Sequence, residues 1–308
     1  MNIGGTHAIS NKFEVQSLSA VVVQYPLYNC TTRKEIQNNL DSILTWMDNA
    51  ATGFPGYDLI VTPENGIQGL TSNILDTLIE YDSPEIQQLK DKCKMLKVWG
   101  IFNPWVKEFE GRKYCNLAIM INDKGEIVHN YVKMNPYIPG ENNCPGWTCP
   151  VTPGPKGSRI ATIICADGDY PEVWREAAYN GANIIVRISH YMSPYDRAWK
   201  ITNVSGAYYN QVYVIACNNV GLGAGFTYFG NSMIVNPDGT IITEAPPGNF
   251  EWAIKADLYP QIVDNCQNES VSNNLLWNYR HRGASYPEIA GTGAGLEIYQ
   301  SLKESGEV

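Results

Sequence analysis

The sequence predicts a mixed α/β fold, and three features of the chain lead to that prediction. Apolar runs of strand length alternate with amphipathic helical segments through the first half. Hairpin turns join further strand-like runs, the clearest at 122–125 and 236–239. Apolar residues make up 44% of the 308-residue chain, and charged residues only 17%, which allows a substantial core. We therefore expect sheets covered by helices on one or both faces.

Apolar periodicity places the elements in order. In the first half the expected strands cover 18–25, 58–62, 98–102, 115–121 and 126–132, and the expected helices cover 32–53 and 84–96. In the second half the expected strands cover 160–164, 183–189, 212–218, 232–235, 240–244 and 251–257, and the expected helices cover 172–180 and 195–211. Thr32 and Glu35 occupy the positions of a capping box at the start of the first helix. The chain after Tyr259 is polar and weakly patterned, and we expect it to pack as an extension or arm.

The pattern indicates one folded unit without a repeat or linker. We expect residues 1–17 to be a flexible N-terminus, 18–285 to form the domain and 286–308 to be a C-terminal tail. Residues 134–157 form a long loop rich in proline and glycine. Loops of this length inside a compact domain are usually functional.

Charge and cysteine usage exclude several classes of function. The net charge of −9 argues against nucleic acid or an anionic membrane as a partner, and no apolar run has transmembrane length. The N-terminus lacks the apolar core of a signal peptide, which predicts a cytoplasmic protein. Eight scattered cysteines indicate reduced thiols, not a disulfide framework. We expect no zinc site at Cys144 and Cys149, because no histidine lies near them.

The chain is organised around Cys165, which ends an apolar strand. Gly168 allows a sharp turn, and Pro171 suits the first turn of the following helix. A cysteine on such an elbow is an exposed nucleophile close to main-chain N–H groups that can stabilise an oxyanion. From the elbow alone, an ordinary buried cysteine remains an equal alternative.

Glu64 and Lys133 also lie just beyond expected strand ends. Ligand sites in open α/β sheets lie beyond the carboxyl ends of strands. A glutamate can act as base and then acid for a thiol that attacks an amide, and a lysine can stabilise the thiolate and oxyanion. Taken singly, each residue is better explained as a solvated surface residue. Of the four histidines, only His190 and His281 are plausible alternative bases.

The combination of Pro63-Glu64, Lys133 and Cys165-Ala166-Asp167-Gly168 resembles the nitrilase superfamily of carbon–nitrogen hydrolases, in its aliphatic amidase and formamidase branch. Other segments similar to that branch are 57–61, 68–69, 154–157, 174–176, 186–189, 228–230 and 281–283. The resemblance implies a four-layer αββα sandwich assembled into homo-oligomers. It also implies a mechanism that requires no metal or organic cofactor.

The resemblance also implies residue roles. Cys165 would be the nucleophile, Glu64 the general base and Lys133 the stabiliser of thiolate and oxyanion. Glu141 would position the substrate and the lysine, and the Ala166 N–H would be the second oxyanion donor.

The expected substrate pocket departs from the branch. Tyr191 matches an aromatic that lines the pocket, but the branch carries tryptophan at the places of Tyr137 and Asn143. The base glutamate is followed by Asn65-Gly66 instead of Tyr-Ser, and His190 stands where the branch has glycine. Asparagine in place of tryptophan removes apolar area and adds donors and acceptors, so we expect a wider or more polar acyl pocket. For His190 we favour a space-filling role over contact with substrate.

The sequence therefore predicts an amidase that hydrolyses a small primary aliphatic amide to carboxylic acid and ammonia through a thioester. The same site could instead act on a larger or polar amide, a nitrile or a carbamoyl compound, or could transfer the acyl group. A non-catalytic binding protein and a Cys–His hydrolase are further alternatives. The natural amide and the oligomer size do not follow from the sequence.

Overall fold

The computed structural model describes residues 15–69, 74–138, 140–223 and 225–268, with residue 275 and residues 305–306. In these segments the strands are β1 (Leu18–Gln24), β2 (Leu59–Val61), β3 (Trp99–Phe102), β4 (Trp105–Phe109), β5 (Arg112–Ile121), β6 (Ile127–Val132), β7 (Thr152–Pro153), β8 (Arg159–Ile164), β9 (Ile184–Ser189), β10 (Tyr213–Asn218), β11 (Val220–Gly223), β12 (Phe226–Phe229), β13 (Met233–Val235), β14 (Ile241–Glu244) and β15 (Trp252–Leu258). The helices there are α1 (Ile36–Gly53), α2 (Ile74–Thr77), α3 (Pro84–Leu96), α4 (Pro171–Tyr179), α5 (Asp196–Asn210) and α6 (Pro260–Asn268).

Two large sheets contain most of the strands. The first has the order β15-β1-β2-β3-β5, with β1, β2 and β3 parallel. The long β5 pairs with β4 through its first half, and with β3 and β6 through its second half. The second sheet has the order β14-β13-β10-β9-β8-β7, with β8, β9 and β10 parallel.

The two sheets pack face to face between layers of helices. Along β1, Leu18, Ala20 and Val22 face the second sheet, whereas Val21 and Val23 pack with helices α1 and α3. This alternation is the two-residue period of a strand buried on both faces. On the far side of the second sheet, α4 and α5 pack against β9 and β10. The predicted αββα sandwich is confirmed.

Most elements lie within one or two residues of their predicted bounds, and α3 has the predicted bounds. The prediction missed β4, which forms a hairpin with the start of β5 around Glu110 and Gly111. It also missed α2, the two-residue β7, and the β11–β12 hairpin. The predicted arm after Tyr259 begins as helix α6, which is attached through a salt bridge of 2.7 Å between Arg159 and Asp264.

Several predictions lie largely outside the described residues. These are the flexible N-terminus, except for residues 15–17, the domain boundary at residue 285, and the C-terminal tail. Within the described residues, no helix is both long enough and apolar enough to cross a membrane.

The parallel strands place their carboxyl ends at one edge of each sheet. Strands β2 and β6 run in the same direction, because β3 is parallel to β2 and β5 is antiparallel to both β3 and β6. Glu64 follows β2 and Lys133 follows β6, so both lie at the same edge. In the second sheet, Cys165 follows β8 and His190 follows β9.

Candidate active site

Lys133 lies between two carboxylates at this edge. Its Nζ is 2.8 Å from Glu64 Oε1 and 2.8 Å from the Glu141 carboxylate. Lys133 and Glu64 are almost completely buried, and Glu141 is only slightly exposed. An ion triad with so little water around it persists only when its charges are paired and hydrogen-bonded.

The Glu64 carboxylate is held from three directions. Oε1 accepts hydrogen bonds from Lys133 Nζ and from Asn116 Nδ2, both at 2.8 Å. Oε2 accepts the main-chain N–H of His190 at 2.9 Å, which links the two sheets. These bonds fix the orientation of the carboxylate.

Cys165 has an unusual main-chain conformation. Its φ is +50°, in the left-handed region that residues with a Cβ rarely adopt. The residue opens a short 3₁₀ turn, Cys165–Asp169, between β8 and α4. The elbow predicted from the sequence is confirmed, but Cys165 is buried and not exposed as predicted. Backbone strain of about 1–3 kcal/mol at a single residue often marks a functional position.

Arg187, from β9, supports this elbow. Its Nε and Nη2 donate to the Cys165 carbonyl oxygen at 3.0 and 2.6 Å. Nη1 donates to Thr202 Oγ1 at 2.7 Å, which ties the elbow to α5. Gly168 lies so close to the guanidinium that a Cβ there would collide with it.

Asp167 connects the elbow to the loop after Lys133. Its Oδ2 accepts Tyr131 Oη at 2.7 Å and the Ile164 N–H at 2.9 Å. Its Oδ1 accepts the main-chain N–H and the side-chain amide of Asn135 at 2.7 and 3.0 Å. Asp167 therefore joins the segments that carry Lys133 and Cys165.

Electrostatics set the protonation states around the thiol. Burial, reinforced by the charge of Glu64, raises the pKa of Cys165 well above its usual value, although Lys133 opposes the shift. Burial alone would raise the pKa of Glu64, but Lys133 and the hydrogen bond from Asn116 lower it.

The pKa values of Lys133 and Glu141 are both raised. Burial alone would lower the pKa of Lys133, but Glu64, Cys165 and Glu141 together raise it well above its usual value. The pKa of Glu141 is raised, because burial and the charge of Glu64 outweigh the attraction of Lys133. The site at neutral pH is therefore a neutral thiol beside an ionised glutamate and a charged lysine, and the thiol needs a base before it can attack.

The predicted substrate-binding residues have different environments. Tyr137 is 41% exposed, and its main-chain N–H donates to Glu141 Oε2 at 2.8 Å. Asn143 is buried, and neither polar atom of its side chain has a hydrogen-bond partner in the described part of the chain. Tyr191 packs against Trp199 and donates from Oη to Asp169 Oδ1 at 2.9 Å. Ala166 is buried directly after the nucleophile candidate.

His190 is buried, and both of its ring nitrogens lie against asparagine amides. Nδ1 is 3.2 Å from Asn65 Nδ2, and Nε2 is 3.4 Å from Asn219 Nδ2. Burial lowers its pKa to about 4. The space-filling role fits this environment better than the role of a catalytic base. His281, the other candidate base, lies outside the described residues.

Sequence analysis missed the asparagines and the arginine that support the site. Asn103 follows β3 and Asn116 lies in β5, so they touch only in the folded chain, and no local motif marks them. Arg187 belongs to a segment that resembles the amidase branch, but its contact with Cys165 depends on the pairing of β8 with β9. An arginine inside an apolar strand, flanked by isoleucine and valine, was the one available signal.

Comparison with known proteins assigns the chain to a family. The family model of carbon-nitrogen hydrolases matches residues 20–261. The chain therefore belongs to the carbon-nitrogen hydrolase family, as its fold and the Glu64, Lys133 and Cys165 positions indicate.

Individual relatives show the same relationship. The chain is 34% identical over 296 residues to a formamidase of Helicobacter acinonychis, covering 94% of this chain and 88% of that protein. It is 36% identical over 286 residues to a formamidase of Photorhabdus laumondii subsp. laumondii, covering 91% and 84%. Its fold is similar to that of Saccharomyces cerevisiae Nit3, a member of branch 10 of the nitrilase superfamily, with a TM-score of 0.71, 23% identity, and coverage of 82% of this chain and 93% of Nit3.

Proposed function

We propose that the protein hydrolyses a small primary aliphatic amide to the carboxylic acid and ammonia through a thioester on Cys165. The observation that carries this proposal is the Lys133 ammonium, held 2.8 Å from both Glu64 and Glu141 beside the Cys165 elbow. The sequence similarity to proteins named formamidase supports the same class of reaction.

In the acylation step the Cys165 proton passes to Glu64 as the sulfur attacks the amide carbonyl carbon. The Lys133 ammonium and the Ala166 N–H stabilise the oxyanion of the tetrahedral intermediate. When the intermediate collapses, the C–N bond breaks and Glu64 returns its proton to the leaving nitrogen. Ammonia departs, and the acyl group remains on the sulfur.

In the deacylation step Glu64 accepts a proton from water as the water oxygen attacks the thioester carbon. The same donors stabilise the second oxyanion. Collapse breaks the C–S bond, the sulfur regains a proton from Glu64, and the carboxylic acid leaves. Glu141 positions Lys133 throughout, because its carboxylate is the second partner of the ammonium.

The test is ammonia release from formamide, acetamide, propionamide and glycolamide. We expect wild type to turn over at least one of these amides, and Cys165→Ala to lose activity by about 10⁴-fold or more. Cys93→Ala is the matched control, since Cys93 lies in α3 against the outer face of the first sheet. Full activity of Cys165→Ala contradicts the mechanism.

A second candidate is an amide whose acyl group is larger or polar, and one observation favours it. Among the described residues, neither the buried Asn143 amide nor the buried Tyr228 hydroxyl has a hydrogen-bond partner. The Tyr228 hydroxyl interacts electrostatically with Glu64 and Cys165. A buried polar group without a partner costs about 1–3 kcal/mol, which a polar substituent on the substrate would offset.

Replacement of Asn143 distinguishes the two candidates. Asn143→Trp removes hydrogen-bonding groups and space from the pocket. If the second candidate function is correct, this variant should lower kcat/KM for glycolamide and propionamide and leave kcat/KM for acetamide and formamide unchanged. Kinetics on these four amides provide the measurement. If Asn143→Trp has unchanged kinetics on all of them, the polar-pocket hypothesis is wrong.

If no amide is turned over, nitriles, carbamoyl compounds and acyl transfer to hydroxylamine are the next reactions to test at the same site. A protein inactive on all of these would be the non-catalytic alternative. Against that alternative, a binding protein would not need a buried ion triad beside a strained cysteine.

We also propose that the protein assembles as a homo-oligomer in the cytoplasm. An apolar groove between α4 and α5, lined in part by Trp174, Ile201 and Tyr209, supports assembly, since Ile201 and Tyr209 are more than half exposed in the single chain. A monomeric mass in light scattering would contradict assembly.

The proposed cytoplasmic location is supported by the cysteines. The free state of Cys30, Cys93 and Cys115 fits a reducing compartment.

A further inference from the structure

Asn65 lies at the start of two hydrogen-bond routes that end on the two oxygens of Glu64. In the first route the Asn65 main-chain N–H donates to Asn103 Oδ1 at 2.6 Å, and Asn103 Nδ2 donates to Asn116 Oδ1 at 2.7 Å. Asn116 Nδ2 then donates to Glu64 Oε1 at 2.8 Å. Every donor in this route points toward the carboxylate, so each bond polarises the next.

The second route passes through His190. The Asn65 side chain contacts His190 Nδ1 at 3.2 Å, and the main-chain N–H of His190 donates to Glu64 Oε2 at 2.9 Å. Asn65 and His190 are both positions at which the chain departs from the amidase branch. Their direct contact suggests that the two departures belong together.

The indole of Trp105 determines which way the Asn65 amide faces. An indole N–H can only donate, and Trp105 Nε1 lies 2.6 Å from Asn65 Oδ1. The Asn65 NH₂ group therefore faces His190. Because an amide nitrogen can only donate, His190 Nδ1 must be the acceptor and carries no proton. A neutral ring with this acceptor has its proton on Nε2.

The surroundings of the ring agree with a neutral Nε2–H form. Nε2 lies 3.4 Å from Asn219 Nδ2, and the buried Asn219 Oδ1 has no partner within the described residues. Rotation of that amide by half a turn therefore gives its oxygen the Nε2–H as donor. The Tyr228 ring packs edge-on to the imidazole with 3.8 Å between ring centroids. The charged groups that act on the ring are Glu64 and Lys133, and burial outweighs the attraction of Glu64.

We propose that Asn65 is a positioning residue for Glu64. Asn65 acts through His190, which it holds as the neutral Nε2–H tautomer. The locked ring holds residue 190 at the end of β9, and its main-chain N–H keeps Glu64 Oε2 in place while Oε1 faces Lys133. This inference rests on the proposed role of Glu64 as base, but the tautomer can be measured without any substrate.

Nitrogen-15 NMR of histidine-labelled protein tests the lock directly. We expect His190 to show an unprotonated Nδ1 and a protonated Nε2 in wild type at neutral pH. His129 is an internal comparison, because both of its ring nitrogens face threonine hydroxyls, which accept or donate. Loss of one signal set in His190→Asn assigns the His190 resonances. An Nδ1–H tautomer or a charged ring in wild type overturns the proposal, whatever the protein catalyses.

Asn65→Asp is the sharpest variant, because it keeps the shape, the acceptor for Trp105 and a side chain that tolerates the φ of +59°. A carboxylate cannot donate to Nδ1 and instead attracts a proton there, so we expect the ring to gain a proton on Nδ1 and become charged. A charged imidazole beside Glu64 weakens it as a base. The kcat at neutral pH should fall about 10- to 100-fold with little change in KM, and should recover as the pH rises through the increased pKa of His190.

Two substitutions of His190 form a matched pair. Asparagine offers an amide at the place of Nδ1, whereas glutamine offers one at the place of Nε2. We expect His190→Asn to keep most of the wild-type kcat and His190→Gln to lose about tenfold or more, with thermal midpoints confirming that both variants fold. Equal kcat in His190→Asn and His190→Gln, or an Asn65→Asp variant whose pH profile matches wild type, overturns the positioning role.

Discussion

At the scale of single residues, the site contains two carboxylates around one ammonium. Glu64 and Glu141 contact the same Lys133 Nζ, yet their pKa values shift in opposite directions. Against burial, Lys133 and the hydrogen bond from Asn116 lower the pKa of Glu64, whereas burial and the charge of Glu64 raise the pKa of Glu141. This asymmetry gives the two glutamates different tasks. In the proposed mechanism, Glu64 remains ionised and accepts a proton, and Glu141 balances the charge of Lys133.

Glu141→Gln tests this division of roles through pH dependence. The proposed mechanism requires ionised carboxylates, so we expect activity to decline as the pH falls through their pKa values. Replacement of Glu141 removes the carboxyl with the raised pKa and also relieves the repulsion on Glu64, so the acidic limb should move to lower pH. The kcat should fall about 10- to 100-fold, because Lys133 loses one charged partner.

The measurement is the pH profile of kcat/KM for wild type and Glu141→Gln. Glu172→Gln, at an exposed position on α4, is the control for loss of one negative charge. An acidic limb that stays in place, or moves to higher pH, would show that Glu141 does not share the ammonium as described.

Three residues of the site were predictable from their positions at the ends of strands. Glu64, Lys133 and Cys165 each follow an apolar run, and carboxyl ends of parallel strands meet at one edge. The hydrogen bonds that orient Glu64 could not be predicted from the sequence in this way. Asn103 and Asn116 are ordinary polar residues until β3 pairs with β5, and only the folded chain brings them together.

At the scale of elements, the turn after β8 holds the nucleophile candidate. The Cys165 carbonyl receives two donors from Arg187, and the guanidinium also lies over the rings of Tyr191 and Trp199 at 5.0 and 4.8 Å from their centroids. Contacts from β9 and α5 therefore support the turn in which Cys165 has its positive φ. The elbow was predictable because glycine and proline mark it, but its support was not.

Gly168→Ala should damage this support. The added Cβ meets the Arg187 guanidinium, which cannot move without releasing the Cys165 carbonyl. We expect a loss of about 1–3 kcal/mol in the free energy of unfolding, together with reduced amide turnover.

Thermal unfolding and ammonia release measure the two effects. Gly53→Ala is the matched control, because a Cβ at the end of α1 meets nothing within 4 Å. The Gly53 variant should unfold at or slightly above the wild-type temperature. If Gly168→Ala is as stable and active as Gly53→Ala, the rigid contact between the elbow and Arg187 is not needed.

At the scale of the whole molecule, the active site is built where two sheets meet. Glu64 and Lys133 come from the first sheet, and Cys165, His190 and Arg187 come from the second. Contacts such as the His190 N–H to Glu64 Oε2 join the two halves, so the site forms only when the sheets have packed.

Periodicity predicted the strands and helices of this architecture well, since both sheets are buried and their strands are continuous apolar runs. It missed β4, whose exposed Lys107 and Glu108 interrupt the apolar pattern, and the β11–β12 hairpin, which is rich in glycine. The pairing of the two sheets followed only from the family resemblance, because no local pattern specifies which faces meet.

In the proposed reaction, amide hydrolysis passes through a thioester on Cys165, and the mass of the protein during turnover tests this step. Wild type mixed with an amide that it hydrolyses, and quenched in acid, should carry the acyl group on the peptide that contains Cys165. Hydroxylamine should remove the group, and Cys165→Ala should never acquire it. An amide that is hydrolysed while Cys165 stays unmodified, or an acyl group found on another residue, would contradict the mechanism.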